Sequence, residues 1–295
     1  MPAIVVIGLI GFVAQLVDGS LGMGYGVTST TLLLSAGLSP AVASASVHLA
    51  ELGTTLASGT AHWRFGNVHW GTVRMLALPG GIGAFMGAYV LSSISADVAK
   101  PWVSLALASL GVVILVRSLW GRSIAARPAR PRLRSLGPLG IFAGFLDAAG
   151  GGGWGPVTTT TLMAGDRLPP RQVIGTVSAS EFVVTVGASL GFLLGLGTGG
   201  YAWDAVAVLL AGGLVAAPLA AWLVRRIEHR TMGIVVAGMI LYSNIDRVLS
   251  LVGADSVVAE TARLAIVFCT VGLVTGLTMG RRSHPPADQP VVAPA

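Results

Sequence analysis

Long apolar segments follow one another along almost the whole chain, and they constrain the fold more than any other feature. They are continuously apolar, whereas the strands of a membrane barrel alternate over short stretches. With 54% hydrophobic and 10% charged residues, the chain is too apolar for a soluble domain, and it predicts an all-α polytopic membrane protein. Seven segments match the ~20 helical residues that cross a hydrocarbon core: 41–63, 71–93, 101–119, 171–196, 203–224, 231–250 and 258–279.

Two glycine-rich motifs of nearly the same sequence divide the chain into similar halves. Motif 1 is DGSLGMGYGVTSTT, which starts at Asp18, and motif 2 is DAAGGGGWGPVTTTT, which starts at Asp147. Each combines an acid, glycines, an aromatic residue and hydroxyls within apolar sequence. Farther along, SVHLAE at 46–51 aligns with TVSASE at 176–181, so each half also carries a glutamate inside a predicted span. An internal repeat therefore organises the chain.

Loop arginines predict how the halves lie in the membrane, because short loops rich in Arg and Lys stay in the cytoplasm. This rule places the linker RPARPRLRS, 127–135, inside. The basic loop RRIEHR, 225–230, then lies inside only if residues 137–165 enter and leave on the same side. The arms beside the glycine run of that segment hold about 14 residues, some 21 Å of helix, which is less than a bilayer core. We therefore predict a re-entrant or V-shaped helical hairpin whose arms meet near mid-membrane.

The same interpretation of residues 3–36 predicts another hairpin, with the N-terminus outside and the C-terminus in the cytoplasm. The fold class is then two inverted repeats, each a broken helical hairpin plus three transmembrane helices, with one additional C-terminal helix. Inverted repeats with discontinuous helices are typical of secondary transporters. The predicted regions are a first transmembrane repeat (1–120), a cytoplasmic basic linker (121–136), a second transmembrane repeat (137–250), an extra transmembrane helix (251–280) and a disordered cytoplasmic tail (281–295).

The glycine runs predict helices that begin inside the membrane. The first N–H groups of such a helix lack intrahelical partners, and the helix dipole adds positive charge, so this end attracts anions. The alternative for a single motif is tight helix packing, with the threonines bonded to their own helix; the duplication favours a substrate site. The predicted substrate-binding residues are Gly22, Gly24, Tyr25, Gly26, Thr30 and Thr31 in motif 1, and Gly151, Gly152, Gly153, Trp154, Thr159 and Thr160 in motif 2.

Four acids and one histidine lie within or beside predicted membrane segments. Asp18 and Asp147 either cap the helices that follow or bind the proton that accompanies an anion. Glu51 and Glu181 lie in predicted spans, where a carboxylate is costly and usually functional. The structural alternative for the glutamates is pairing with His48, a backbone group or water. We interpret all five residues as proton-coupling residues.

Other kinds of function find little support in the sequence. No motif brings a nucleophile within reach of a base, no cofactor fingerprint is present, and one histidine with scattered acids is too small a ligand set for a metal. We expect a protein that is not an enzyme and needs no cofactor. The net charge of +6 comes mainly from loop arginines, which suit a membrane surface better than nucleic acid. The expected partners are a small anion, protons and the lipid bilayer; homo-oligomerisation is left open.

The two motifs in their context resemble a known family. GFVAQLVDGSLGMGYG (11–26) and GIFAGFLDAAGGGGWG (140–155), the helices started by Pro40 and Pro169, and the glycine-rich span from Pro79 are similar to the TauE/SafE sulfite exporters. This group is also called the 4-toluene sulfonate uptake permease (TSUP) family. The resemblance covers nearly the whole chain. It implies transport of sulfite, organosulfonates or related sulfur-containing anions across the cytoplasmic membrane, driven by an ion gradient.

The resemblance and the residues together predict proton-coupled secondary transport by alternating access. The anion is expected at the midplane, between the two hairpin tips. One alternative is an anion channel, which would keep the helix-end site but would need no intramembrane acids. Another is a transporter of small carboxylates or other oxyanions. Saturable, proton-dependent uptake would separate a transporter from a channel.

Overall fold

The computed structural model describes residues 2–21, 24–120, 136–164, 168, 170–223 and 229–282. Within these ranges the regular structure is helical and contains no strand, which confirms the predicted all-α class. The helices are α1 (Pro2–Leu21), α2 (Tyr25–Ser35), α3 (Pro40–Arg64), α4 (Trp70–Ser93), α5 (Ala96–Trp120), α6 (Leu136–Gly150), a π-helical turn (Gly155–Thr159) continued by α7 (Thr160–Ala164), α8 (Pro170–Leu196), a 3-10 turn (Thr198–Gly200), α9 (Trp203–Leu223), α10 (His229–Ser250) and α11 (Ser256–Arg282).

Each of the seven predicted spans coincides with one long helix, namely α3, α4, α5, α8, α9, α10 or α11. Among the described residues, five helices are long and apolar enough to cross a membrane: α4, α5, α8, α10 and α11. The 25-residue α3 has the length, but it carries serines, threonines, His48 and Glu51 along its course. These polar groups lower the mean hydropathy of α3. The helix can carry them because it faces the interior of the protein, where most of them are buried. Most of the predicted linker (121–136) and tail (281–295) lies outside the described residues.

Both motifs interrupt a helix, as predicted. α1 ends at Leu21 and α2 begins at Tyr25, whereas α6 ends at Gly150 and helical structure resumes at Trp154. The breaks contain glycines with positive φ, at 116° for Gly24, 76° for Gly151 and 141° for Gly152. L-residues with a Cβ avoid this region of backbone space, so glycine sets the position of each break.

The arms of the two hairpins differ in form. The first arms end at equivalent positions, α1 at Leu21 and α6 at Gly150, and α6 is described from Leu136 onward. The second arms also differ, since α2 is a regular helix of 11 residues and its counterpart opens with a five-residue π-helical turn. Pro156 lies in that turn and lacks an N–H group, so it favours an irregular start.

The two halves pack by exchanging helices. α1, which opens the first half, packs against α9 of the second half, and α6 packs in the same way against α4. Small residues permit this approach: a Cβ on Gly11 would meet the carbonyl of Leu209 at 2.5 Å, and one on Gly140 would meet that of Leu76 at 2.8 Å. α3 packs on α8 and α5 on α10, so equivalent helices also pair across the two halves. The reciprocal contacts support a repeat, while its inverted orientation in the membrane stays a prediction.

Candidate substrate site

Motif 1 and motif 2 contact each other where their helices are broken. A Cβ on Gly152 would overlap the backbone at Val27, and one on Gly151 would overlap the side chain of Thr30. A Cβ on Gly26 would lie 3.1 Å from the Cα of Gly152. The tips of the two hairpins therefore touch as expected, although their depth in a bilayer stays a prediction. Only glycine allows two backbones to come this close.

Asp147 caps the helical segment that follows the break in motif 2. Its Oδ1 accepts hydrogen bonds from the N–H groups of Gly153, at 2.7 Å, and Trp154, at 2.8 Å. Its own carbonyl accepts the N–H of Gly152 at 2.7 Å. The structure therefore shows the cap at Asp147, and proton binding by the same residue stays a prediction. Two of the helix-end donors that could face an anion are already occupied by this carboxylate.

His48 links α3 of the first half to the tip of motif 2. Its Nε2 lies 3.1 Å from Oδ2 of Asp147, and its Nδ1 lies 2.8 Å from the carbonyl of Ser44. The ring therefore bridges the carbonyl of Ser44 and the carboxyl group of Asp147. The Ser44 hydroxyl donates to the carbonyl of Ala148 at 2.7 Å. The structural partner of His48 is Asp147 and not a glutamate.

Asp18 occupies the equivalent place in motif 1. Its carboxylate accepts a hydrogen bond from the backbone N–H of Tyr25, as Asp147 does from Trp154. The side chain is only partly buried, and Gly22 beyond it lies outside the described residues. The capping interaction is therefore shared by the two motifs, but the contact with a histidine belongs to motif 2.

Each motif packs its aromatic residue against a glycine of the opposite half. A Cβ on Gly80 of α4 would lie 2.6 Å from the ring of Trp154, and one on Gly213 of α9 would lie 3.4 Å from the hydroxyl of Tyr25. The Tyr25 hydroxyl donates to the carbonyl of Leu209 at 3.3 Å. Both rings are buried. They form fixed walls beside the breaks, so packing accounts for much of their role.

The hydroxyls of the motifs fall into two groups. Thr158 and Thr161 donate to carbonyls of their own helical segment, as the packing alternative predicts. The other group has buried hydroxyl oxygens that find no hydrogen-bond partner among the described residues. It consists of Thr28, Ser29, Thr30, Thr159 and Thr160. Thr31 belongs to neither group, because its hydroxyl oxygen accepts from Asn244. Buried hydroxyls normally find a partner, so unsatisfied ones on both sides of the contact indicate a place for a polar ligand.

The two glutamates lie near the same contact. Glu51 is 2% exposed, and its Oε1 lies 3.3 Å from the position of a Cβ on Gly26. It interacts electrostatically with Asp18, Asp147 and Glu181. In the part of the chain that the structure describes, neither glutamate forms an ion pair with a basic side chain. The four acids therefore form one electrostatically connected group around the motif tips.

One residue of this region was not among the predicted site residues. Asn244 of α10 is fully buried, and its Nδ2 donates to the hydroxyl oxygen of Thr31 at 3.3 Å and to the carbonyl of Ile240 at 2.8 Å. The sequence could have marked Asn244 as a site residue, since a polar side chain within an apolar span is costly and usually functional. Nothing in the sequence, however, indicates that α10 lies against α2.

The arrangement of two touching helix breaks can be compared with known proteins. Residues 7–246 match the family described as Sulfite exporter TauE/SafE. The chain belongs to the TauE/SafE sulfite exporter family. The match includes both motifs and ends at Asp246, so α11 lies beyond the matched residues.

A curated relative gives the same picture. The chain is 48% identical over 277 residues to the Probable membrane transporter protein YtnM of Bacillus subtilis (strain 168). The aligned residues cover 93% of this chain and 90% of that protein. No solved structure matches the chain. TauE/SafE membership implies a membrane transporter, which is not an enzyme, and agrees with the multi-pass apolar helices. The family also suggests a small anionic substrate.

Proposed function

We propose that this TauE/SafE protein is a proton-coupled secondary transporter of small sulfur-containing anions, such as sulfite or organosulfonates. The anion binds where motif 1 meets motif 2, near the midplane of the cytoplasmic membrane, and alternating access opens that point to one side at a time. The observation that carries the proposal is the direct contact between the two helix breaks. Discontinuous helices that meet inside a membrane transporter are typical of substrate sites.

The buried hydroxyls supply the donors for the anion. Thr30 belongs to motif 1 and lies against the tip of motif 2, and Thr159 holds the corresponding position on the other side. Their oxygens are unpartnered in the described structure, so each can donate to an anion without breaking an existing bond. In motif 2, hydroxyls are therefore better placed than helix-end N–H groups to bind the anion. Two of those N–H groups already donate to Asp147.

Glu51 and Glu181 are the groups best suited to carry protons. An ionised carboxylate that is buried without a cationic partner is costly, and binding a proton removes that cost. Protonation also reduces the negative charge that an incoming anion meets. Proton and anion therefore bind more favourably together than separately, which gives symport or proton-driven exchange.

Asp18, Asp147 and His48 complete the coupling group. Asp147 and His48 act as a pair, because their contact links α3 to motif 2. Asp18 has a capping bond but no histidine, and it is the more accessible of the two aspartates. A change at either aspartate would therefore alter the shape of one tip as well as the charge of the site.

Proteoliposomes that contain the full chain test this proposal. We expect saturable uptake of at least one of sulfite, thiosulfate or a short sulfonate, stimulated by an inward proton gradient. Glu51→Gln removes the titrating group at nearly constant size and should abolish the stimulation. Glu260→Gln, on the exposed side of α11, is the matched control. Unsaturable flux that ignores the gradient would support a channel, and uptake of carboxylates alone would exclude the proposed substrate class.

A further inference from the structure

Asn244 holds a buried hydrogen-bond acceptor for which the described structure offers no donor. The side chain is fully buried, and its Oδ1 has no hydrogen-bond partner among the described residues. The amide orientation follows from its surroundings, because Nδ2 donates to the carbonyl of Ile240 at 2.8 Å. Exchanging the two amide atoms would bring two acceptors together there. Oδ1 is therefore the amide atom that lacks a hydrogen-bond donor in the described structure.

Thr31 lies beside Asn244 and has the complementary capacity. Its hydroxyl oxygen accepts from Nδ2 of Asn244 at 3.3 Å, which leaves its own O–H available to donate. Thr28 lies one helical turn earlier on the same face of α2, closer to the break, and its buried hydroxyl is also unpartnered. This face of α2 therefore presents donors next to one fixed acceptor.

We propose that Asn244 selects substrates that carry their own O–H or N–H donor next to the oxyanion. The inference rests on the proposed function, since it concerns the substrate of the same site. An anionic oxygen is only an acceptor, so it can use the hydroxyls of Thr28 and Thr31 but repels Oδ1 of Asn244. A hydroxyl or ammonium group on the carbon chain of the sulfonate satisfies that oxygen. The substrate class is thus small hydroxy- or aminoalkanesulfonates.

The acceptor is present on one side only. When α5 is aligned with α10 so that Arg117 corresponds to Arg247, Ile114 corresponds to Asn244. Thr160, the counterpart of Thr31, accordingly has an unpartnered hydroxyl. Among the buried side-chain atoms that lack a partner in the described residues, hydroxyls and an amide oxygen lie beside motif 1, but only hydroxyls lie beside motif 2. An asymmetric substrate, with an oxyanion at one end and a donor at the other, fits this distribution.

Three sulfonates of similar size test the inference by ligand-induced thermal shift of the purified full chain. They are 2-hydroxyethanesulfonate, 2-aminoethanesulfonate and 1-propanesulfonate, whose terminal methyl group replaces the donor. We expect the natural protein to bind at least one donor-bearing sulfonate about tenfold more tightly than propanesulfonate, the worth of one buried hydrogen bond. Asn244→Leu should bring the ratio close to one, and Ile114→Leu should leave it unchanged.

The outcomes separate this inference from the proposed function. A ratio near one in the natural protein overturns the inference and requires no variant, so an unstable Asn244→Leu protein does not prevent the test. Equal weakening of all three sulfonates by Asn244→Leu also overturns it, because a purely structural role predicts that result. If the three sulfonates enter proteoliposomes with protons at equal affinity, the proposed function stands and only the inference falls. If none of the three binds or enters, the inference falls, and uptake of sulfite and thiosulfate then decides the proposed function separately.

Discussion

Nε2 of His48 lies 3.1 Å from Oδ2 of Asp147, and this contact joins a helix of the first half to the helix break of the second. Both side chains are buried, at 0% and 6% exposure. The remaining oxygen of Asp147 holds two backbone N–H groups. A single carboxylate therefore fixes the shape of motif 2 and ties it to α3.

Removal of the histidine should destabilise the protein strongly. His48→Ala leaves Oδ2 of the buried Asp147 carboxyl group without its hydrogen-bond partner, which costs about 1–3 kcal/mol. We expect a clear fall in the unfolding temperature in detergent. The double variant His48→Ala/Asp147→Asn should lose less than the sum of the single changes. Lys100→Ala breaks the exposed pair with Asp97 and should have almost no effect. Equal losses for the buried and exposed pairs would contradict this role of His48.

Two substitutions of Asp147 separate its cap from its charge. Asp147→Asn retains a carbonyl oxygen that can accept from Gly153 and Trp154, but it loses the carboxyl group that contacts His48. Asp147→Ala loses both, and losing a cap costs about 1 kcal/mol. We expect Ala to abolish coupled transport although the protein still inserts, and Asn to be the more stable of the two. Unchanged proton-dependent flux in Asp147→Ala would remove this residue from the coupling group.

The contact between the motifs should not tolerate a methyl group. Gly152 has φ 141°, and a Cβ there would overlap the backbone at Val27. Gly152→Ala should therefore reduce folded protein and abolish transport. Gly37 also has positive φ, at 97°, but a Cβ there would have nothing within 4 Å. Gly37→Ala is the matched control, since it adds backbone strain without a clash. Similar yields and transport rates for the two variants would show that the close approach is dispensable.

The unpartnered hydroxyls should matter for affinity more than for stability. Thr30→Val and Thr159→Val keep the side-chain shape but remove a donor, so each should weaken anion binding about tenfold. Removing a buried hydroxyl that had no partner should leave the unfolding temperature unchanged or raise it. Thr161→Val is the control, because that hydroxyl already donates to Val157. Titration of binding alongside thermal unfolding provides both measurements; a fall in stability without a change in affinity would argue for packing alone.

Much of this architecture could be predicted from local sequence. The apolar runs marked the long helices because burial in lipid requires them, and the glycines marked the breaks because positive φ requires them. The capping role of Asp147 was a stated alternative, since an acid before a helix start is a local signal.

Contacts between distant residues could not be predicted in the same way. His48 and Asp147 are 99 positions apart, and the sequence aligned His48 with Ser178 rather than with a partner. Asn244 and Thr31 are 213 positions apart and meet only because α10 packs against α2. Such pairs depend on which faces of distant helices pack together. The spacing of apolar residues along the chain does not show this.

The exchange of helices between the halves limits how this protein can move. α1 packs on α9 and α6 on α4, so a division along the repeat boundary would cut through both interfaces. If two rigid groups of helices move relative to each other during transport, each group must therefore contain helices from both repeats. For the same reason, a single repeat expressed alone would lack the surfaces that cover its own first and fourth helices. A one-repeat ancestor would have had to assemble as an intertwined pair of identical chains.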